Sequence, residues 1–172
     1  MAANKYVALV SGYLKEVFGT VVSTGAPDAN EIVALDASGK LDISLMPTGV
    51  GAEVTVVASF ENLAAGDFVN LFLSGGVTKA RKADATTNAK PAHGFVLDNV
   101  TSPANATVYR VSNTNTGVAG LTVGSTYFLS TTPGSITATP PSSAGNIVQQ
   151  IGIADLATSI VFSNETAVIE LA

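Results

Sequence analysis

The sequence predicts a mainly β protein, in which a small β-sandwich or barrel-like domain is preceded by an extended N-terminal arm with a possible short helix. Two observations support this fold class. From Glu53 onward, short apolar runs recur about every 10 residues and are separated by Gly, Pro, Asn and Ser, with no convincing helical period between them. The 172-residue chain is also 47% hydrophobic but only 6% aromatic, so small side chains supply most of its bulk.

The first element of the arm is predicted to be a helix over residues 5–18. Its apolar residues recur at helical spacing, which would place them on one face. They are Tyr6, Leu9, Val10, Tyr13, Leu14, Val17 and Phe18. A strand is the alternative, because the β-forming residues Thr20, Val21 and Val22 follow directly.

The rest of the arm has the composition of turns and short strands. Residues 23–30 are rich in turn-forming residues, and a short strand is predicted at residues 32–35. The alternation of Leu41, Ile43 and Leu45 predicts another strand that ends at Pro47, and residues 48–51 resemble a hinge. The sequence thus predicts an anchoring or assembly arm at residues 1–51 and a β domain at residues 52–172.

The β domain is predicted to contain ten short strands, and the Ser-Gly-Gly run at residues 74–76 is a hairpin signal between two of them. The predicted strands are 54–58, 68–73, 77–82, 94–97, 107–111, 126–129, 136–138, 147–153, 159–162 and 167–171.

The charge of the chain is low and negative. Eight Lys and Arg oppose 13 Asp and Glu, which gives a formal charge of −5. This balance argues against nucleic-acid binding, which requires a basic surface. Residues 99–154 contain a single charge, Arg110. Two interpretations stay open for this segment, a hydrated surface of Thr, Ser and Asn, or an interface with sister subunits, where charge is depleted.

Motifs that carry chemistry are missing from the sequence. There is no cysteine, and the single histidine, His93, is predicted to have a hydrogen-bonding or packing role at the start of a strand. A catalytic zinc site usually needs three protein ligands. The acidic residues of segment 36–42 lack the ligand pattern of a calcium loop. We therefore expect no enzyme activity, no cofactor, no metal site and no membrane span.

Half of the basic residues lie close together in the sequence, at Lys79, Arg81, Lys82 and Lys90. On a strand, Lys79 and Arg81 share one face and Lys82 lies on the other. The simplest interpretation is that they protect an edge strand from pairing with other chains. Contact with an acidic partner is the alternative.

Two passages of the sequence resemble structural proteins of tailed-phage virions. The first is EIVALDASGKLDISLMP, residues 31–47, which is similar to the LD-x-x-GKLD-x-S-x-x-P segments of phage fibre and head-decoration proteins. The second is similar to a small β domain of phage capsid and fibre proteins, and it comprises residues 65–84, 92–96, 120–130, 133–136 and 148–154.

This resemblance implies a protein of the virion surface, made in the host cytoplasm, that decorates and stabilises the capsid as a cement or head-fibre protein. Such proteins are commonly trimers, so a homotrimer and the major capsid protein are the expected partners. We expect the apolar residues of the arm to bind them. These residues are Leu9, Tyr13, Leu14, Phe18, Ile32, Leu35, Leu41, Ile43 and Leu45.

The alternative function is a tail-fibre or receptor-binding module that contacts the host surface. It would use loops of the β domain, near residues 113–116 or 139–141.

Overall fold

The computed structural model describes residues 5–46, 52–163 and 168–172, and most of the regular structure in these ranges is β-strand. This confirms the predicted mainly β fold class with a small, barrel-containing β domain. The chain divides into two compact units, Met1–Gly51 and Ala52–Ala172. The predicted hinge at residues 48–51 lies outside the described residues, together with Pro47 and the start of the last predicted strand.

The first unit begins with a β-hairpin, so the predicted helix at residues 5–18 is wrong. Strand β1 (Lys5–Val10) pairs antiparallel with β2 (Tyr13–Phe18). Ser11 and Gly12 connect the strands with φ angles of 52° and 83°. Positive φ at both central residues is typical of the type I′ turn, whose twist matches a hairpin. Both faces of the hairpin carry apolar residues. Along the sequence, the residues of the two faces together happen to follow the spacing of an amphipathic helix.

The remainder of the first unit contains little regular structure. The strand predicted at residues 32–35 is reduced to one parallel bridge, in which the Thr20 N–H donates to the Ile32 carbonyl oxygen at 2.9 Å. Short 3₁₀ turns occur at Ala26–Asp28 and Ile43–Leu45. The strand predicted through residues 41–45 is therefore wrong. Its backbone turns because the Ser44 N–H donates to the Asp42 carboxylate at 2.9 Å, which is the local bond of an Asx turn.

The second unit starts with a closed barrel of five strands in the order β3-β5-β4-β6-β7. Strand β3 pairs antiparallel with β7 and, over a short stretch, parallel with β5. The strands are β3 (Val54–Ser59), β4 (Phe68–Ser74), β5 (Val77–Lys82), β6 (Gly94–Phe95) and β7 (Asn105–Tyr109).

The barrel is followed by a five-stranded sheet in the order β10-β9-β12-β13-β8, and by a separate pair of strands, β11 and β14. The strands of the sheet are antiparallel. Their bounds are β8 (Thr114–Asn115), β9 (Thr126–Leu129), β10 (Ile136–Thr137), β11 (Ile147–Val148), β12 (Gln150–Leu156), β13 (Ser159–Phe162) and β14 (Ile169–Glu170).

The strands of the barrel contribute to two cores, because successive side chains of a strand point to opposite faces. Val69 of β4 and Val96, which follows β6, belong to the smaller core with other residues of the barrel. Their neighbours Phe68 and Phe95 belong to the larger core, where they join residues of β9, β12 and β13. The outer wall of the barrel is thereby packed against the five-stranded sheet.

Buried amide side chains link the barrel to the strands that follow it. Gln149 is 1% exposed, and its side chain accepts a hydrogen bond from the Ala92 N–H at 2.7 Å and donates one to the Ala92 carbonyl at 2.8 Å. Asn115 is also buried and donates to the Gly66 carbonyl at 2.9 Å. These bonds satisfy backbone groups of loops that strand pairing does not reach.

We expect the Gln149→Leu variant to lose roughly 2–4 kcal/mol of unfolding free energy, because both backbone groups of Ala92 would be buried without a partner. Chemical denaturation measures this loss. Gln150→Leu, at the neighbouring half-buried position, is the control and should change stability much less. Equal losses in the two variants would contradict this role for Gln149.

Candidate functional site

The face of the arm hairpin that carries Leu9, Leu14 and Phe18 is the main candidate for a binding surface. Leu9 and Leu14 are directly opposed across the hairpin, and they are 71% and 76% exposed. Phe18 lies on the same face opposite Lys5, whose ammonium group is 5.0 Å from the ring centroid and 2.6 Å from a Glu16 carboxylate oxygen. We call this surface the hairpin face.

The structure separates Tyr13 from the residues with which the sequence grouped it. Tyr13 is paired with Val10, and in a strand of alternating side chains this pair lies on the reverse side of the hairpin. Both residues are exposed, as is Val7 on the hairpin face, which the sequence prediction did not include among the binding residues. The hairpin therefore presents exposed apolar side chains on both faces.

A second part of the candidate surface is a hollow of about 290 Å³ in the first unit. Ile32 and Leu35, both predicted to bind a partner, line the hollow and are about half exposed. The other lining residues are Lys5, Tyr6, Gly19, Val33 and Ala34. The hollow thus brings the bridge segment next to the start of β1.

The last predicted binding residues lie near the end of the first unit. Leu41 is exposed, whereas Leu45 is half-buried in the second 3₁₀ turn. The side chain of Ile43 lies outside the described part of the structure. No strand face is available in this segment to align the three residues as the sequence predicted.

The five-stranded sheet, most of which lies in the nearly uncharged segment 99–154, exposes apolar side chains where β12 and β13 leave that segment. Ile153 of β12 is paired with Val161 of β13, and they are 52% and 38% exposed. Both line a hollow of about 340 Å³ with Ala154, Asp155 and Ser163. Asp155 is the charged residue among these, and the hydrogen bond from Ser159 holds the pKa of its carboxyl group below the ordinary value.

His93 has the hydrogen-bonding role that the sequence predicts for it. Its Nδ1 accepts a hydrogen bond from the Leu71 N–H at 3.0 Å. An accepting nitrogen carries no proton, so the ring is in its neutral form. Burial is the main cause that lowers the pKa of His93, and the charges of Arg110 and Arg81 lower it further. The residue therefore joins β4 to the segment before β6 as an uncharged side chain.

The basic residues near β5 do not protect a sheet edge, so that interpretation is wrong. Strand β5 has a neighbour on each side, β3 and β4. Lys82 instead forms an ion pair with Asp67 at 3.0 Å, and Lys90 forms one with Asp84 at 2.9 Å. Lys79 and Arg81 lie over aromatic rings on the outer side of the barrel.

The loop at residues 113–116, which a receptor-binding module would use, is engaged within the fold. The amide nitrogen of Asn113 donates to the carbonyl oxygens of Arg110 at 3.0 Å and Glu53 at 3.2 Å. Asn115 is buried and bonded to Gly66 and Gly117. The side-chain amides of Asn113 and Asn115 are thus used in bonds within the fold. In the other loop, Thr139 and Pro140 are exposed.

Known proteins provide no further guide to this site. Comparison of the chain with protein-family models, curated proteins and solved structures finds no match. Within residues 5–46, 52–163 and 168–172, no group of three His, Asp or Glu side chains is arranged to hold a metal ion. No helix in those ranges is long and apolar enough to cross a membrane.

The neutral state of His93 predicts a pH dependence of stability. Because its pKa in the folded protein lies below the ordinary value of 6.5, protonation favours the unfolded chain, and stability should fall as the pH decreases from about 6.5. One proton limits the slope to about 1.4 kcal/mol per pH unit. The pKa of Asp84 in the folded protein is also lowered, from an ordinary value of 3.8, so its protonation should reduce stability only at lower pH.

Urea denaturation between pH 7.5 and pH 5 measures this effect. His93→Gln is the matched variant, because it replaces the only histidine with an uncharged side chain that still offers an acceptor. We expect the variant to be nearly independent of pH in this range, whatever its absolute stability. The same slope in both proteins would rule out His93 as the cause.

Proposed function

We propose that this chain is a structural protein of a tailed-phage virion, which decorates and stabilises the capsid through its N-terminal arm and an oligomeric β domain. The observation that supports this proposal most directly is the exposed hairpin face of the first unit. The resemblance of residues 31–47 to head-decoration and fibre segments indicates the kind of assembly, and the β domain is the part that projects.

The exposure of the hairpin is a physical argument for a partner. A two-stranded hairpin is marginally stable in water, because it cannot bury its side chains against itself. Leu9, Leu14 and Phe18 are each about two-thirds exposed or more. Full burial of such a side chain is worth about 1.5–3 kcal/mol, so covering the hairpin face would stabilise the arm and attach it to its partner in the same step.

The mechanism of such a protein is mechanical. The arm lies across neighbouring capsid subunits or joins three copies of the chain, and the buried hairpin prevents these subunits from sliding apart under the pressure of the packed genome. Permanent interfaces of this kind often bury more than about 2,000 Å². The β domain projects from the surface, and its sheet, which exposes Ile153 and Val161 and carries few charges, is suited to contact with sister subunits.

Attachment to the capsid is preferred over recognition of a host receptor for one structural reason. The loop at residues 113–116 was one of two loops available for recognition, and the amide groups of Asn113 and Asn115 are used inside the fold. On the hairpin face, by contrast, Leu9, Leu14 and Phe18 are exposed. Binding of the purified protein to host cells with no binding to capsids would favour the receptor function instead.

Deletion of residues 1–50 tests the role of the arm. We expect the truncated protein to keep the circular dichroism spectrum of a folded β protein and to lose binding to capsids purified from a phage that lacks the gene. The binding assay is co-sedimentation with the capsids. Full occupancy by the truncated protein would contradict the proposal.

Substitutions within the hairpin test its apolar surface more finely. Leu9→Ser combined with Leu14→Ser should weaken capsid binding by at least about a hundredfold, because two side chains lose their burial energy. The control is Val56→Ser combined with Leu73→Ser, which removes two side chains of the barrel that are 60% and 72% exposed. An equal loss of binding in both double variants would show that the effect is not specific to the arm.

A further inference from the structure

The outer side of the barrel carries a second surface, which we call the cation–aromatic face and define by Phe60, Phe72, Lys79 and Arg81. Lys79 of β5 is directly opposed to Phe72 of β4. Phe60 follows β3, and its N–H donates to the Ala80 carbonyl at 2.7 Å. The four side chains therefore come from β4, β5 and the residue that follows β3, on one wall of the barrel.

The aromatic rings of this face are packed on each other and on the cations. The centroids of Phe60 and Phe72 are 5.2 Å apart, with an angle of 85° between the rings. The guanidinium carbon of Arg81 lies 4.1 Å from the Phe72 centroid, and the Lys79 ammonium nitrogen lies 6.0 Å from that of Phe60. Phe60 is nonetheless 53% exposed.

The guanidinium group of Arg81 is held in place by the fold. Its Nε–H donates to the Asn70 Oδ1 at 3.0 Å, and Nη2 donates to the Ala89 carbonyl at 2.7 Å. Asn70 is 2% exposed and is fixed in turn by its bond to the Pro91 carbonyl at 2.8 Å. A side chain that is already ordered loses less conformational entropy when a ligand binds, so Arg81 is preorganised for binding.

The cations of the face form no ion pair among the described residues, and the nearest acidic residue in sequence to Phe60, Glu61, accepts the Lys82 N–H at 2.9 Å. The ion pairs in these ranges use Lys5, Lys82 and Lys90, and neither Lys79 nor Arg81 takes part in one. The whole chain has a formal charge of −5, so two unpaired cations side by side are unusual for it. Charge complementarity therefore favours a negatively charged partner.

We propose that the cation–aromatic face binds an acidic polypeptide segment of a partner protein, in which carboxylates alternate with apolar side chains. The carboxylates contact Arg81 and Lys79, and the apolar side chains pack on Phe60 and on Val77, which is 58% exposed. A carbohydrate fits less well, because sugars stack on an open ring face and Arg81 covers that of Phe72. This inference does not depend on the arm or on the proposed function.

Nuclear magnetic resonance titration of the full chain tests this proposal. The probe is a synthetic 12-residue peptide in which Asp and Leu alternate, and the matched peptide has Asn in place of Asp. We expect the Asp peptide to shift the Arg81 side-chain Nε–H and the amide signals of β5, and the Asn peptide to leave them unchanged. Arg81→Gln and Phe60→Ala should each weaken binding by about tenfold.

The control variant is Lys15→Gln, which removes one positive charge from the arm hairpin and should leave the affinity unchanged. Three outcomes would overturn the proposal. They are no binding of the Asp peptide, equal shifts with the Asn peptide, and tighter binding of an anionic oligosaccharide, such as a hyaluronan fragment, at the same signals. Loss of capsid binding without loss of peptide binding, as expected for the hairpin variants, separates this face from the proposed function.

Discussion

The β domain depends on three phenylalanines that join the barrel to the sheet beside it. Phe68 and Phe95 lie on the outer wall of the barrel, and Phe162 of the sheet contacts both, with centroid distances of 5.8 and 6.3 Å. In a chain that is only 6% aromatic, this cluster supplies much of the bulk of the larger core. It also determines which part of the barrel wall is covered, since β4 places Phe68 in the core and leaves Phe72 near the surface.

Inside the β domain, neutral amide side chains form most of the buried side-chain hydrogen bonds to the backbone. Buried amides of Asn70, Asn115 and Gln149 bond to backbone groups of neighbouring loops. A neutral amide pays a smaller desolvation penalty than an ion pair in the same place. Among the described residues one charged side chain is buried, that of Asp84, which pairs with Lys90. Charged side chains are likewise rare along the five-stranded sheet, whose strands contain one, Asp155.

Much of the β domain could be predicted from the sequence, whereas the arm and the cation–aromatic face could not. Alternating apolar residues between turn formers mark strands locally, and the Gly75–Gly76 turn was recognisable in the same way. The hairpin at residues 5–18 was missed because apolar residues on both of its faces imitate a helical period. Phe60 and Arg81 are far apart in the sequence, and only the register of β3, β5 and β4 brings them together.

The pairing of β3 with β7 has a consequence for how the protein is made. Ala58 pairs with Asn105, about 50 residues later in the chain, and ribosomes add roughly 5–20 residues per second. The arm hairpin pairs neighbouring residues and can close within about 1–10 μs of leaving the ribosome. The end of β3 can pair with β5 earlier, but the stretch with the exposed Val54 and Val56 must wait several seconds for β7. During synthesis the nascent chain therefore exposes both its arm and an unpaired apolar strand, and this interval is when it is most open to capture by a chaperone or by another copy.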